Sequence, residues 1–229
     1  MEKISFNTDK LKFEALLLKA PSPSQAVLFA AGSGGNPERH LPLLNLLVER
    51  GCTIIAPYFE RIVSPRPGSE ELQLRVDCLL GALNIIGESN LPIVGIGHSI
   101  GASLLLGIAG GQMWMQEGQL FPIVHDERIK KLILFTPPTG FFQAPNALGK
   151  VQASVQAWAG SLDTITPPHQ IEALREALSP ELNCEIHTVE GAGHFSFMNT
   201  LPPNIIDPMK DRDMFLTDLG VAVCNFVMG

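Results

Sequence analysis

Short, almost uninterrupted apolar runs alternate with longer helix-periodic segments along most of this chain, and that alternation restricts the fold more than any other feature. The runs fall at 26–31, 53–56, 91–96, 131–135 and 155–159, and a more mixed segment, 184–189, reads as a sixth strand. A strand with one face in water alternates apolar and polar residues. A strand apolar throughout is covered on both faces, the usual condition of parallel strands packed between helices. Helical periodicity fills the gaps. After the first run, Asn36 is placed to cap a helix with Pro37 at its first position, and Leu41, Leu44, Leu47 and Val48 recur on one face until Gly51. Further helices are predicted at 70–86, 99–116, 168–178 and 211–227. A weaker alternating pattern at 4–6 and 13–18 suggests an antiparallel hairpin ahead of the parallel part, and a Pro-rich loop is expected at 64–68. The expectation is a single α/β domain over residues 1–229.

Composition supports this and narrows the partners. Apolar residues are 45% of the 229 and charged residues 17%, enough to build a core and too little charge for disorder. Sixteen basic against 23 acidic residues give a net charge of −7. Lys and Arg form no cluster able to neutralise phosphates, so no nucleic-acid partner is expected. No run is long and apolar enough to span a bilayer, and the first residues, rich in Lys, lack the apolar stretch of a secretory signal. Cys52, Cys78, Cys184 and Cys224 stand far apart with no metal-ligand spacing. They read as reduced, buried thiols in a cytoplasmic protein, and neither a metal nor an organic cofactor is called for. The sequence does not decide the oligomeric state.

The chemistry is carried by Gly97-His98-Ser99-Ile100-Gly101, a G-x-S-x-G pentapeptide set between an apolar strand and Ala102-Ser103-Leu104-Leu105-Leu106. A strand that turns this sharply into a helix forces its middle residue to strained backbone angles and needs small neighbours two positions away. The Ser99 hydroxyl then stands clear of the turn. The backbone N–H of Ile100, at the helix start, points at a developing oxyanion. A dinucleotide loop starting at Gly95 is ruled out, since the third glycine would fall on Ile100 and no acid sits suitably downstream.

A serine hydroxyl needs a base to take its proton and a third group to orient that base. His194, in Glu190-Gly191-Ala192-Gly193-His194, follows the last predicted strand on a loop of small residues, and is the expected base. His187 lies within that strand and reads as structural. His98 reads as packing beside the turn, and His125 and His169 as surface residues. Asp163 follows the fifth run, at the carboxyl edge where open α/β sheets place their sites. The order Ser99, Asp163, His194 is serine, acid, histidine. A second oxyanion donor is expected from Ala31-Gly32-Ser33-Gly34-Gly35, the N–H of Ser33 being favoured. A phosphate loop there is excluded because no Gly-Lys-Ser/Thr follows.

Taken together, Ala31-Gly32-Ser33-Gly34-Gly35, Gly97-His98-Ser99-Ile100-Gly101 and Gly191-Ala192-Gly193-His194-Phe195-Ser196-Phe197, followed by Asp211-Arg212, resemble the α/β-hydrolase superfamily and, within it, the dienelactone hydrolase-like group. The resemblance runs from about residue 26 to the C-terminus. It implies an α/β-hydrolase fold: a mostly parallel, doubly wound sheet with helices on both faces. It also implies Ser99 as nucleophile, His194 as base and Asp163 as acid. Two departures stand out. Many relatives carry His-Gly where this chain has Ala31-Gly32, and dienelactone hydrolases proper use a cysteine where this chain has Ser99.

Lids in this superfamily are usually inserted ahead of the strand that precedes the acid. Only 136–152 is available here, too short for a substantial cap domain. Its Phe141 and Phe142 are expected to form an apolar rim, and Tyr58, after a strand end, to line the pocket. Trp114, Met113 and Met115 are expected to serve packing rather than substrate contact. The reading is a serine esterase for small or medium carboxylic esters. Thioester, amide and acyl-transfer chemistry share the same residues, and a non-catalytic scaffold is the alternative of another class.

Overall fold

The computed structural model describes residues 2–7, 12–64, 67–116 and 118–229. Its strands are β1 (Glu2–Asn7), β2 (Lys12–Leu18), β3 (Gln25–Ala30), β4 (Cys52–Pro57), β5 (Ile93–His98), β6 (Ile129–Phe135), β7 (Ser154–Gly160) and β8 (Cys184–Val189). They form one eight-stranded sheet in the order β1-β2-β4-β3-β5-β6-β7-β8. From β4 to β8 neighbouring strands run parallel, while β1 and β2 pair antiparallel with each other and β2 pairs antiparallel with β4. The predicted hairpin is thus present and extends the sheet at one edge. The loop expected at 64–68 includes positions 65 and 66, which lie outside the described residues.

Helices α1 (Leu41–Glu49), α2 (Ser69–Gly87), α3 (Ile100–Ile108), α4 (His169–Ala177) and α5 (Arg212–Met228) cover the two faces. The side chains of single strands divide by parity, as a pleated strand requires. Leu28 and Ala30 of β3, with Leu132 and Leu134 of β6, pack on Leu72, Val76 and Leu79 of α2, Leu104 and Leu105 of α3 and Ile171 of α4. Val27, Phe29, Ile133 and Phe135 point the other way, onto Leu44 and Leu47 of α1 and Val223 and Val227 of α5. This two-sided burial is why the runs carry no polar alternation. Helix α3 is buried along its whole length, so it too has no polar face. Among the described residues no helix is long and apolar enough to cross a membrane.

Several boundaries differ from the sequence reading. The helix expected over 99–116 ends at Ile108, because Gly110 takes φ +121° and a side chain there would press on the Lys150 carbonyl. Residues 112–116 and 118–121 instead run irregularly, with Trp114 bridged to Leu120 and Met113 fully buried. The helix predicted from Pro37 begins as a 3₁₀ turn, Pro37–His40, whose Glu38 N–H donates to the Asn36 side chain at 2.9 Å as the capping argument expects. Strand β5 starts two residues later than expected and runs through His98, so Ser99 follows it directly. All four cysteines are free; Cys52, Cys78 and Cys224 are buried and Cys184 is half-buried.

The parallel register brings the carboxyl ends of five strands, β3 and β5 to β8, level. Ala30 pairs with Gly97, His98 with Phe135, Phe135 with Trp158 and Gly160 with Val189. The loops leaving these strands therefore gather at one edge of the sheet.

Candidate active site

Ser99 sits between β5 and α3 at φ +52°, ψ −129°, a conformation that side-chain-bearing residues rarely hold. The two glycines of the pentapeptide explain how it is tolerated. A Cβ on Gly97 would approach the Ala102 backbone to 2.6 Å, and one on Gly101 would collide with the Ala30 carbonyl. The Ser99 N–H donates to Phe135 O at 2.8 Å, tying the turn to β6.

His194 lies on the loop after β8. Its Nε2 stands 3.0 Å from Ser99 Oγ and its Nδ1 2.8 Å from Asp163 Oδ2. A carboxylate can only accept, so the proton belongs on Nδ1, leaving Nε2 a lone pair for the serine hydroxyl. Asp163 is buried in the loop after β7. Its Oδ1 accepts from the N–H groups of Ile165 and Thr166, each at 2.8 Å, and its Oδ2 also accepts from Thr166 Oγ1 at 2.7 Å. Burial alone would raise this carboxyl, but hydrogen bonding and charge from His194, with the Thr166 donors, outweigh it and hold Asp163 below the ordinary carboxylate range.

The sequence reading assigned no part to Thr166, yet its hydroxyl touches both Asp163 and, at 3.0 Å, His194 Nδ1. The signal was the Asp163-Thr164-Ile165-Thr166 turn, in which an aspartate accepts from the backbone two and three residues on.

The His194 loop is itself fixed. His98, buried beside the turn as expected, donates from Nε2 to the His194 carbonyl at 3.0 Å. The Gly193 N–H donates to Ser196 Oγ at 2.8 Å, and Ser196 donates to Asp207 at 2.7 Å. His40 completes a row of imidazoles, its ring 5.4 Å from that of His98, which is in turn 5.1 Å from His194. Burial holds both His40 and His98 uncharged, His40 down to about 3. His125 and His169 are exposed, and His187 stacks on Trp158 within β8 at 4.0 Å.

Ser99 and His194 open into a cavity of about 710 Å³. Ser33, Ile100 and Phe141 also line it, together with aliphatic side chains from Ile62, Val63 and Ile165. Two aromatic expectations need correction. Tyr58 belongs to a different cavity, of about 600 Å³ between the β1–β2 hairpin and α2, where its hydroxyl donates to Glu38 at 2.5 Å. The chain turns back after β4, with Phe59 N–H bonded to Gly35 O, and carries Tyr58 away from Ser99. Phe142 is buried in the core beneath the rim, against Gly111, while its neighbour Phe141 faces the cavity. Within the short 3₁₀ turn Thr139–Phe142, Phe142 is buried and Phe141 half-buried. Among the described residues no large cap covers the opening.

Neither a protein-family model nor a curated protein matches the sequence. Solved structures do resemble it. A dienelactone hydrolase from Anabaena variabilis superposes with a TM-score of 0.70 at 18% identity, covering 99% of this chain and 96% of that one. A soluble variant of the monoglyceride lipase from Saccharomyces cerevisiae, in complex with a substrate analog, gives 0.71 at 14% identity over 99% and 94%. An alpha-beta serine hydrolase homologue from Coxiella burnetii gives 0.66 at 15% over 98% and 96%. Sheet order, the buried helix after Ser99 and these near full-length superpositions agree on one conclusion: the chain has the α/β-hydrolase fold.

Proposed function

We propose that the protein is a single-domain serine hydrolase that cleaves small or medium carboxylic esters through an acyl-enzyme on Ser99. The observation that carries this reading is the continuous chain of contacts from Ser99 Oγ to His194 to Asp163, at 3.0 and 2.8 Å, ending in an open cavity lined by apolar side chains together with Arg39 and Arg61. Ser99 Oγ attacks the ester carbonyl carbon while its proton passes to His194 Nε2, and Asp163 steadies the imidazolium. The carbonyl oxygen becomes an oxyanion facing the N–H groups of Ser33 and Ile100. Collapse breaks the bond to the alcohol oxygen, which takes the proton from His194. Water, deprotonated by His194, then attacks the acyl-enzyme, and the carboxylic acid leaves as Ser99 recovers its proton. Phe141 lines the cavity. The free thiols support a reducing, cytoplasmic setting.

The test is labelling with a fluorophosphonate, located by peptide mass spectrometry, beside turnover of p-nitrophenyl acetate and butyrate. Expected are a label on Ser99, its loss with Ser99→Ala, its slowing with His194→Ala, and turnover that follows the same pattern. A folded protein that takes no label and leaves both esters intact would refute the proposal in favour of a non-catalytic scaffold.

A further inference from the structure

Arg75 is the least expected residue in the molecule: a guanidinium on α2, 3% exposed, that the reaction described above does not use. Among the described residues no carboxylate forms an ion pair with it. Burying such a group is expensive unless its donors are satisfied. Here they are met by backbone carbonyls. Nη1 donates to Gly32 O at 2.8 Å, and Nη2 to Ser33 O at 3.0 Å and Glu60 O at 2.6 Å. The guanidinium also lies over the Phe59 ring, 4.8 Å from its centre. Burial pulls its pKa down to about 10, opposed by Glu71 and Cys78, so it stays charged at neutral pH.

The carbonyls it holds decide where the neighbouring N–H groups point. A trans peptide unit is planar, with its C=O and N–H directed oppositely, and the described chain contains no cis peptide. The Gly32 carbonyl and the Ser33 N–H share one plane, so a grip on the first aims the second to the opposite side. The Ser33 carbonyl and the Gly34 N–H are coupled in the same way. Both Ser33 and Gly34 line the cavity with Ser99, and a Cβ on Gly32 would lie 3.2 Å from Ser99 Cβ. The loop has other ties, but Gly35 N–H to Gly32 O is internal to it and Ile62 N–H to Ser33 O joins it only to another loop. Arg75 is the anchor that joins them to the body of a helix.

We infer that Arg75 is a positioning residue for the oxyanion site: its three carbonyl bonds hold the Gly32-Ser33-Gly34 backbone so that N–H groups face the oxygen of the tetrahedral intermediate. Its charge also polarises the peptide units it grips, making their N–H groups stronger donors. Lysine cannot take its place, since a point charge on a flexible stem does not span three carbonyls in fixed directions. The glycine loop and the buried cation beneath it thus form one device. This inference rests on the esterase reading, because it needs an oxyanion to stabilise.

The experiment compares wild type, Arg75→Met and Arg75→Lys in kcat and KM for p-nitrophenyl butyrate, and in Ki for an alkyl trifluoromethyl ketone, which forms a tetrahedral oxyanion adduct on serine. Removing an oxyanion donor outright costs about 10²–10³-fold in kcat, so loosening one should cost about 10–100-fold in Arg75→Met. KM should stay near wild type, and Ki should weaken by about the same factor as kcat falls. Arg75→Lys, which keeps the charge and is the more conservative change for folding, should lose a smaller part of kcat and Ki together. Wild-type kcat and Ki in either folded variant would overturn the inference, as would a loss confined to KM. A wild-type protein without turnover would overturn the esterase reading and this inference with it, whereas active wild type beside indifferent Arg75 variants would sink the inference alone.

Discussion

Replacing His40 with phenylalanine should flatten the acid limb of this protein's stability. The His40 ring is 1% exposed, 4.9 Å from the Phe29 ring and 5.4 Å from that of His98. Burial, then the charge of Arg39, lowers its pKa to about 3, with the Phe197 backbone opposing weakly. In the unfolded chain the same ring titrates at about 6.5. Between those values the unfolded state holds a proton that the folded state refuses, so stability increases with pH across that window. The contribution is complete above about 6.5 and is lost progressively as pH falls toward about 3. The limiting slope is about 1.4 kcal/mol per pH unit, so this one residue should cost about 2 kcal/mol between pH 6.5 and 4.5. Urea unfolding followed by far-ultraviolet circular dichroism at several pH values in that window would measure it. Wild type should lose stability more steeply than His40→Phe by that amount, whatever the variant's absolute stability at pH 7. His98 contributes with the same sign but is present in both proteins, so it cancels in the difference. Two curves that descend in parallel would refute the reasoning and mean that His40 gains a proton without leaving the fold.

Gly101→Ala places a methyl group against the Ala30 carbonyl and should cost about 1–3 kcal/mol, seen as a lower Tm in a thermal melt; an unchanged Tm would show that the turn can relax. Phe141→Ala should raise KM for p-nitrophenyl butyrate more than for the acetate, by about a few-fold, because the ring lines the cavity. Tyr58→Phe should leave both esters untouched, since Tyr58 faces a separate cavity. Equal effects of those two substitutions would contradict the assignment of the rims.

Most of the sheet was legible because parallel strands bury both faces and so write themselves as unbroken apolar runs, as residues 93–96 and 132–135 do. The Ser99 turn was legible for a different reason: its backbone angles demand glycines at 97 and 101, and that demand is local. What failed depended on direction rather than identity. Nothing in Phe141-Phe142 says which ring meets the cavity, because a 3₁₀ turn decides it. Tyr58 follows a strand end at the carboxyl edge, as site residues do, but the bond from Phe59 N–H to Gly35 O swings it aside. The end of α3 was missed because its buried surroundings keep the sequence apolar well past the glycines that stop it. Arg75 and Thr166 escaped because their partners are a backbone 42 and 43 residues away and a histidine 28 residues away, contacts with no periodicity.

Ser99, Asp163 and His194 leave the sheet from β5, β7 and β8, moving from its middle to its margin. Strand β8 has a partner on one side alone and is mostly half-buried along its length, whereas β5 is buried throughout. Local opening starts where burial is thinnest. The histidine thus hangs from a thinly buried margin of the sheet, and the serine from its fully buried middle. Under mild denaturant or heat, the contact between His194 and Ser99 is therefore expected to be lost before the buried middle of the sheet opens.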